Sequence, residues 1–230
     1  MSLFRDTEIV CPVCATKIDF KLVDSVNADR RPDLRQAILD GTFQQIDCPS
    51  CKSVFRLDPE FNYLDVGRGQ WIAAKPVAGV SEWKAHEEEA RDLYALAYGE
   101  RAEALAKEVG AMLKPRLVFG WPALREKVLA AGLGLDDIAI EACKATVMRN
   151  SADLPFSGEA DLRLVDVKGD KLVFAWVNPA DNTTGEMVAL PRSLHDEIVA
   201  DEDGDWYDFK SDFDGALYVD LNRVLVDQPA

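Results

Sequence analysis

The sequence predicts an α+β fold in three parts, because its hydrophobic period changes twice along 230 residues. Residues 1–76 combine alternating, strand-like stretches with one helical stretch, residues 77–150 repeat apolar side chains at helical spacing, and residues 151–230 alternate again. Two Cys-Pro-x-Cys motifs lie in the first part. We therefore expect an N-terminal cysteine-bearing module with a helical insertion, a helical middle segment and a C-terminal antiparallel β unit.

Short strands are predicted around the cysteines of residues 1–76. Ile18, Phe20 and Leu22 alternate with polar residues after the first motif, and KSVFRL follows the second motif. Between them, RPDLRQAILDG is typical of a helix that begins near a proline and ends at Gly41. FNYLDV and QWIAAK, on either side of a Gly-Arg-Gly turn, predict a hairpin.

Residues 77–150 are predicted to be helical. SEWKAHEEEARDLYALAY has acidic residues near its start, Ser81 is a candidate N-cap, and Gly99 is expected to break or bend the stretch that follows. WPALREKVLAAG and LDDIAIEACKATVMR predict two shorter helices. Cys143, on the apolar face of the last of these, is interpreted as a buried free thiol.

Strands return after Asp161. LRLVDV and KLVFAWVN flank a Lys-Gly-Asp turn and predict a hairpin, and the apolar run KLVFAWV suits a central strand. EMVALP and ALYVDLNRVLV are further strand candidates, with a short helix expected in LPRSLHDEIVA. Residues 201–215 are rich in aspartate but fail the register of a calcium-binding loop, so a solvated acidic loop is expected there.

The composition limits the partners. Apolar residues make up 48% of the chain and charged residues 29%, which argues against disorder. The net charge is −15, almost all of it after residue 76, and such a field repels nucleic acid and anionic membranes. No apolar run approaches the roughly 20 residues of a membrane span, and the N-terminus lacks the pattern of a signal peptide. We expect a bacterial, cytoplasmic protein whose partner is another protein; its oligomeric state stays open.

The four motif cysteines, Cys11, Cys14, Cys48 and Cys51, are predicted to bind one structural Zn²⁺. Two Cys-x-x-Cys turns complete a tetrahedral shell, and following strands are typical of a zinc ribbon, here with a helical insertion between the two turns. An iron centre of the rubredoxin type uses the same ligands and is the less favoured alternative. Redox-active dithiols or disulfides are a third interpretation, although such pairs usually open a helix.

Glycine is common just after the second cysteine of such turns, where φ is often positive, but Ala15 and Lys52 occupy these positions here. A non-glycine residue in that conformation costs roughly 1 kcal/mol. Because metal binding contributes about 10 kcal/mol, we expect the turns to tolerate both residues.

The two CPxC motifs, with SVNADRRPDLRQAILDGTF between them and CPSCKSVFRLDPEFNYLDV at the second, resemble the bacterial CpXC domain. The resemblance covers residues 9 to about 75 and extends through LVFGWPALREKVLAAGLGLDDIAIEACK. It implies a metal-binding role for the four cysteines and no established activity. Residues 150–230 match no family motif.

A non-enzymatic scaffold or protein-interaction role is the favoured function, since neither HExxH nor GxSxG occurs. One alternative is an enzyme with a pocket between the helical and β segments, using Asp166, Asp170 or Glu186. A further alternative is nucleic-acid binding through basic residues of the ribbon. Those residues are Lys17, Lys21, Arg30, Arg31, Arg35, Arg56 and Arg68.

Overall fold

The computed structural model describes residues 1–150 and 160–226. Within these residues the chain is a mixed α+β protein with eight α-helices and three sheets, one of them a C-terminal antiparallel sheet. The predicted fold class is confirmed at that level. No helix among the described residues is both long enough and apolar enough to cross a membrane.

The largest sheet has five strands in the order β1-β2-β5-β6-β7. Its β1–β2 and β5–β6 pairs are antiparallel, as the predicted hairpin requires, whereas β2–β5 and β6–β7 are parallel. Strand β7 lies in the segment predicted to be helical, so residues 77–150 complete a sheet whose other strands come from residues 1–76. The strands are β1 Leu3–Val10, β2 Lys17–Asn27, β5 Phe61–Asp65, β6 Gln70–Lys75 and β7 Lys114–Phe119.

The helical insertion and a small second sheet lie between β2 and β5. Helix α1 spans Pro32–Leu39, with proline in its first turn and Gly41 at φ 74° just beyond its end. The small sheet is an antiparallel hairpin of two three-residue strands, β3 Gln45–Asp47 and β4 Val54–Arg56. Both cysteine motifs therefore lie in turns between antiparallel strands.

The middle segment contributes four helices. A 3-10 turn over Val77–Glu82 precedes the first of them, so Ser81 is not its N-cap, and Gly99 ends that helix as predicted. The helices are α2 Trp83–Tyr98, α3 Ala104–Ala111, α4 Gly120–Gly132 and α5 Asp137–Asn150.

The C-terminal sheet is antiparallel, in the order β10-β9-β8, and β9 is central as its apolar sequence predicted. The boundary expected near residue 150 falls at residues 151–159, outside the described residues. The elements are β8 Asp161–Lys168, β9 Lys171–Val177, β10 Thr184–Pro191, α6 Arg192–Ala200, α7 Tyr207–Ser211 and α8 Asn222–Val226.

The strand predicted in ALYVDLNRVLV is wrong. Residues 216–219 are a buried loop, and α8 follows them. Two backbone amides of this loop, Leu217 and Tyr218, donate to the Glu87 carboxylate at 2.6 and 2.9 Å. Because a side chain satisfies these donors, the apolar stretch is buried without joining a sheet.

The core has three main parts, two of which lie on the faces of the five-stranded sheet. One face of this sheet packs with α1 and α4, through residues such as Ile38, Tyr63 and Leu124. The other face packs with α2 and the C-terminal loop, through Trp71, Trp83 and Tyr218. A further cluster joins α5 to the C-terminal sheet. The cysteine turns lie outside these clusters.

Candidate metal centre

The first cysteine turn connects β1 to β2. Its backbone closes through two hydrogen bonds, from the Ala15 amide to the Cys11 carbonyl at 3.0 Å and from the Cys11 amide to the Thr16 carbonyl at 2.9 Å. The turn therefore lies at the tip of a hairpin in which β1 pairs with β2 from Leu3 to Val10.

The second turn connects β3 to β4 and repeats this pattern. The Lys52 amide donates to the Cys48 carbonyl at 3.0 Å, and the Cys48 amide donates to the Ser53 carbonyl at 2.9 Å. The two turns thus share one backbone conformation, although only their cysteines and prolines match in sequence. We call them the first and second knuckles.

Both knuckles use positive φ at the residue after the second cysteine. Ala15 has φ 59° and Lys52 has φ 64°, as expected for positions where related turns often carry glycine. Each costs roughly 1 kcal/mol relative to glycine. Two such strained positions, one in each knuckle, indicate that another interaction stabilises the turns.

The knuckles bring the four sulfur atoms together. The Sγ atoms of Cys11 and Cys51 are 3.7 Å apart, those of Cys14 and Cys48 are 3.6 Å apart, and all four lie within 4.8 Å of one another. A tetrahedron of thiolates at about 2.3 Å from a central zinc has edges of about 3.8 Å. The geometry and the all-sulfur donor set therefore fit a tetrahedral Zn²⁺ or iron ion.

Two hydroxyl groups support the sulfur cluster. Oγ of Ser53 lies 3.0 Å from Sγ of Cys51 and 3.4 Å from Sγ of Cys11, and Oγ1 of Thr16 lies 3.2 Å from Sγ of Cys14. Sequence analysis missed these residues. The signal that could have found them is a hydroxyl side chain two positions after the second cysteine of both motifs.

These contacts and burial shift the pKa values of three of the thiols. The hydrogen bond with Ser53 lowers the pKa of Cys11 to about 6, and the hydrogen bond with Thr16 lowers the pKa of Cys14. The backbone amide of Cys51 tends to lower the pKa of Cys48, but burial and the neighbouring thiols of Cys14 and Cys51 raise it to about 11. The pKa values of the thiols differ because the four sulfur atoms are in mutual contact, and a negative charge on one disfavours a negative charge on the next.

The arrangement does not match a pair of redox dithiols. All five cysteines are free thiols, and sulfur contacts of 3.7 and 3.6 Å connect one knuckle with the other. Each pair is followed by a strand, without the helix that usually lowers the pKa of a redox cysteine. The fifth thiol, Cys143, is fully buried in α5, and burial raises its pKa to about 12. It is a buried free thiol, as predicted.

The carboxylates of the enzyme alternative do not converge. Asp166 is on β8, Asp170 in the following turn and Glu186 on β10, and all three are exposed. Only Asp166 lines the large cleft between α4 and the C-terminal sheet. In the aspartate-rich stretch, the Asp201 carboxylate accepts hydrogen bonds from the Gly204 and Trp206 amides, which closes its own turn.

Most basic residues of the nucleic-acid alternative are neutralised by neighbouring acids. Lys17 pairs with Glu8 at 2.6 Å and Arg31 with Asp33 at 2.6 Å. Arg35 and Arg68 share the buried Asp65. Arg56 is half-buried in the cleft and does not face open solvent as a nucleic-acid face requires.

Comparison with known proteins agrees with the cysteine pattern. Residues 9–144 match the family described as CpXC protein. No curated protein and no solved structure matches the chain. The matched part contains both knuckles and ends within α5, at the residue where the resemblance of the sequence ends. Because the match covers more than half of the chain, this protein belongs to the CpXC family.

Proposed function

We propose that the four cysteines hold one structural Zn²⁺ in a zinc ribbon, and that the protein acts as a non-enzymatic scaffold which binds another protein. The observation that carries this proposal is the set of sulfur contacts across two hairpin tips, at 3.7 and 3.6 Å. Four thiolates fill a tetrahedral shell, so no position is left for a reactive water.

A bound metal would stabilise the second knuckle more than the first. Strands β3 and β4 have three residues each, and an isolated two-stranded hairpin is marginal in water. Binding of Zn²⁺ to four thiolates contributes about 10 kcal/mol, which exceeds the backbone cost at Ala15 and Lys52. A structural ion therefore explains how so short a hairpin keeps a strained turn.

The metal is identified by measuring metal per chain on untagged protein, by elemental mass spectrometry, with a visible absorption spectrum. We expect close to one zinc per chain and no colour. One iron per chain with a red spectrum supports the rubredoxin-type alternative and replaces the scaffold proposal with electron transfer. No metal, with four titratable thiols, contradicts both.

Three exposed valines near the metal favour a protein partner. Val10, Val13 and Val54 flank or belong to the knuckles and are 56%, 71% and 57% exposed. Apolar side chains on rigid turns suit a protein surface, whereas the net charge of −15 opposes nucleic acid. Free thiols suit the reducing cytoplasm of a bacterium, where we place the protein.

The partner surface is tested by photocrosslinking in cells. A photoreactive residue replaces Val13 or Val54, and another replaces Leu105 on α3, which is 72% exposed and serves as control. We expect the same protein to be captured from both knuckle positions and not from Leu105, and to bind the purified metal-loaded chain. Equal capture from all three positions contradicts a partner surface at the knuckles.

A further inference from the structure

A large cleft lies between the family-matched part of the chain and the C-terminal sheet. Its volume is about 960 Å³, within the range of small-molecule sites. Its walls come from the end of α1, the β3–β4 hairpin, α4, and strands β8 and β9 with the turn that follows them. The hairpin that carries the second knuckle thus forms one side of the cleft.

Arg56, at the end of β4, carries an unpaired charge in this cleft. Its guanidinium lies 3.5 Å from the centre of the Trp121 ring, and its Nε donates to the Phe43 carbonyl at 2.6 Å. Its Nη2 is buried and has no hydrogen-bond partner among the described residues. No carboxylate there forms an ion pair with it, and burial lowers its pKa to about 10.

Arg125 lines the same cleft from α4, four residues after Trp121 and therefore on the same helix face. Its Nε donates to the Leu39 carbonyl at 2.6 Å and its Nη1 to the Val165 carbonyl at 3.0 Å. These contacts fix its position without neutralising it. Within residues 1–150 and 160–226 it has no carboxylate partner.

Other guanidinium groups of the interior are neutralised. Arg116 pairs with Asp137, Arg35 with Asp65, and Arg163 with Asp220 and two further acids. The chain has 41 acidic residues against 26 basic ones. Because a partly buried charge without a counter-ion is costly, two half-buried, unpaired arginines that line one cleft indicate that an anion from outside neutralises them.

Acidic residues also line the cleft but are engaged locally. Asp40 accepts a hydrogen bond from Gln36 at 2.8 Å, and Asp181 accepts from the Thr183 amide at 2.9 Å. Asp166 accepts from the Val167 amide and lies 3.9 Å from Lys168. These groups do not form hydrogen bonds to Arg56 or Arg125.

We propose that this cleft binds a small molecule that carries a phosphate or carboxylate group and an apolar body. The anionic group lies against Arg56 and Arg125, where guanidinium geometry suits two-point contact with an oxyanion. The apolar body packs on the apolar lining residues Ile38, Val173 and Met187, beside the Trp121 ring that Arg56 covers. This site is separate from the four cysteines and does not rest on the identity of the metal.

The first test uses the metal-loaded full chain with three probes at constant ionic strength: inorganic phosphate, pyrophosphate and succinate. The readout is the indole N–H resonance of Trp121, which donates to the Leu57 carbonyl at 2.8 Å and is assigned with Trp121→Phe. We expect a saturable shift of this resonance, and the strongest probe distinguishes phosphate from carboxylate recognition. No saturable shift with any probe overturns the proposal.

The second test compares Arg56→Gln with Arg101→Gln, which removes the same charge from an exposed position outside the cleft. We expect the apparent Kd of the strongest probe to rise at least tenfold in Arg56→Gln and to stay unchanged in Arg101→Gln. Equal weakening in both variants indicates nonspecific charge attraction and overturns the proposal. Metal content and circular dichroism of each variant distinguish loss of fold or metal from loss of anion binding. If Arg56→Gln does not fold, the shift of the Trp121 resonance in the parent chain tests the proposal.

Discussion

The knuckles and the α4–α5 core hold their polar side chains in opposite ways. In the knuckles, Cys14 and Cys51 are exposed, and the strands of the second knuckle have only three residues each. In the core, Glu126, Glu141 and Lys144 are almost completely buried, with Lys144 Nζ 2.7 and 3.0 Å from the two carboxylates. Arg163 joins this network through Glu126 and Asp220.

The difference concerns the source of stability. The two sulfurs of each knuckle converge because the spacing within the motif bends the chain locally, and in the proposed function a bound ion supplies the stabilising energy. The buried charges come from three elements and the C-terminal loop, and each requires the others for neutralisation. Loss of one cysteine should therefore destabilise only the knuckles, whereas loss of one buried charge should destabilise the whole fold.

The largest effect is expected from Cys48→Ser in the second knuckle. Removal of one thiolate should release the ion and with it most of the about 10 kcal/mol that metal binding contributes. Hydrogen exchange should show lost protection of the Cys48 and Lys52 amides, with α5 unchanged. Cys143→Ala, which lies outside the cluster, should keep the metal. Unchanged protection in the Cys48 variant would contradict the structural role of the site.

Arg163→Met tests the buried network. It leaves Glu126, Asp161 and Asp220 without their shared cation, so the free energy of unfolding should fall by about 3–5 kcal/mol. Urea denaturation measures this loss. The control is Arg192→Met, whose pair with the exposed Asp196 spans 3.9 Å and should matter by less than about 1 kcal/mol. Similar losses in the two variants would show that the network does not act as a buried unit.

The core and the knuckles should also respond to acid at different pH values. Burial tends to raise the pKa of Asp220, but the positive charges of Arg163 and Lys144 outweigh it and lower this pKa to about 2. A depressed carboxyl pKa stabilises the fold above the ordinary value near 4, and this contribution, about 2 kcal/mol, is lost as the pH falls from 4 to 2. Denaturant titrations between pH 5 and pH 2 measure how the free energy of unfolding depends on pH, and this dependence should be weaker in Asp220→Asn.

The pH at which the knuckles release a bound metal should differ from the pH at which the core unfolds. Zinc binds thiolates and protons compete for them, so the ion should leave at a higher pH than the one at which the core unfolds. A zinc-sensitive dye and far-ultraviolet circular dichroism, followed in one titration, give the order. Simultaneous release and unfolding would mean that the knuckles and the core form one cooperative unit.

The smallest effects are expected from turn residues. Ala15→Gly should stabilise the metal-loaded first knuckle by about 1 kcal/mol, because φ 59° is strained for alanine. Gly169→Ala, in the β8–β9 turn at φ 61° with open space around it, should destabilise the C-terminal sheet by a similar amount. Metal affinity measures the first change and urea denaturation the second. The same sign in both variants would contradict the strain argument.

Local patterns in the sequence predicted the elements that depend on near neighbours. The Cys-Pro-x-Cys turns, the β5–β6 hairpin, α1 and the central strand β9 all follow from spacing, turn residues or apolar runs within about ten residues. The unusual φ at Ala15 and Lys52 was also expected from motif position alone.

Elements defined by a partner strand, and not by their own sequence pattern, were missed. Strand β1 is largely exposed, so LFRDTEIV lacks the alternation of a half-buried strand, and it forms because β2 pairs with it. Strand β7 is a short run between helices that pairs with β6. The opposite error occurred at residues 216–219, where Glu87 accepts backbone hydrogen bonds that a sheet would otherwise satisfy.

By itself the sequence determined the four candidate metal-binding cysteines, the α+β class and the family, because each is encoded in residue types and short spacings. Only the tertiary structure decided that the two knuckles meet, that Lys144 and Arg163 are neutralised inside the core, and that Arg56 and Arg125 are left unpaired beside Trp121. Charge compensation depends on side chains that are distant in sequence, and no local pattern records which charges will be brought together.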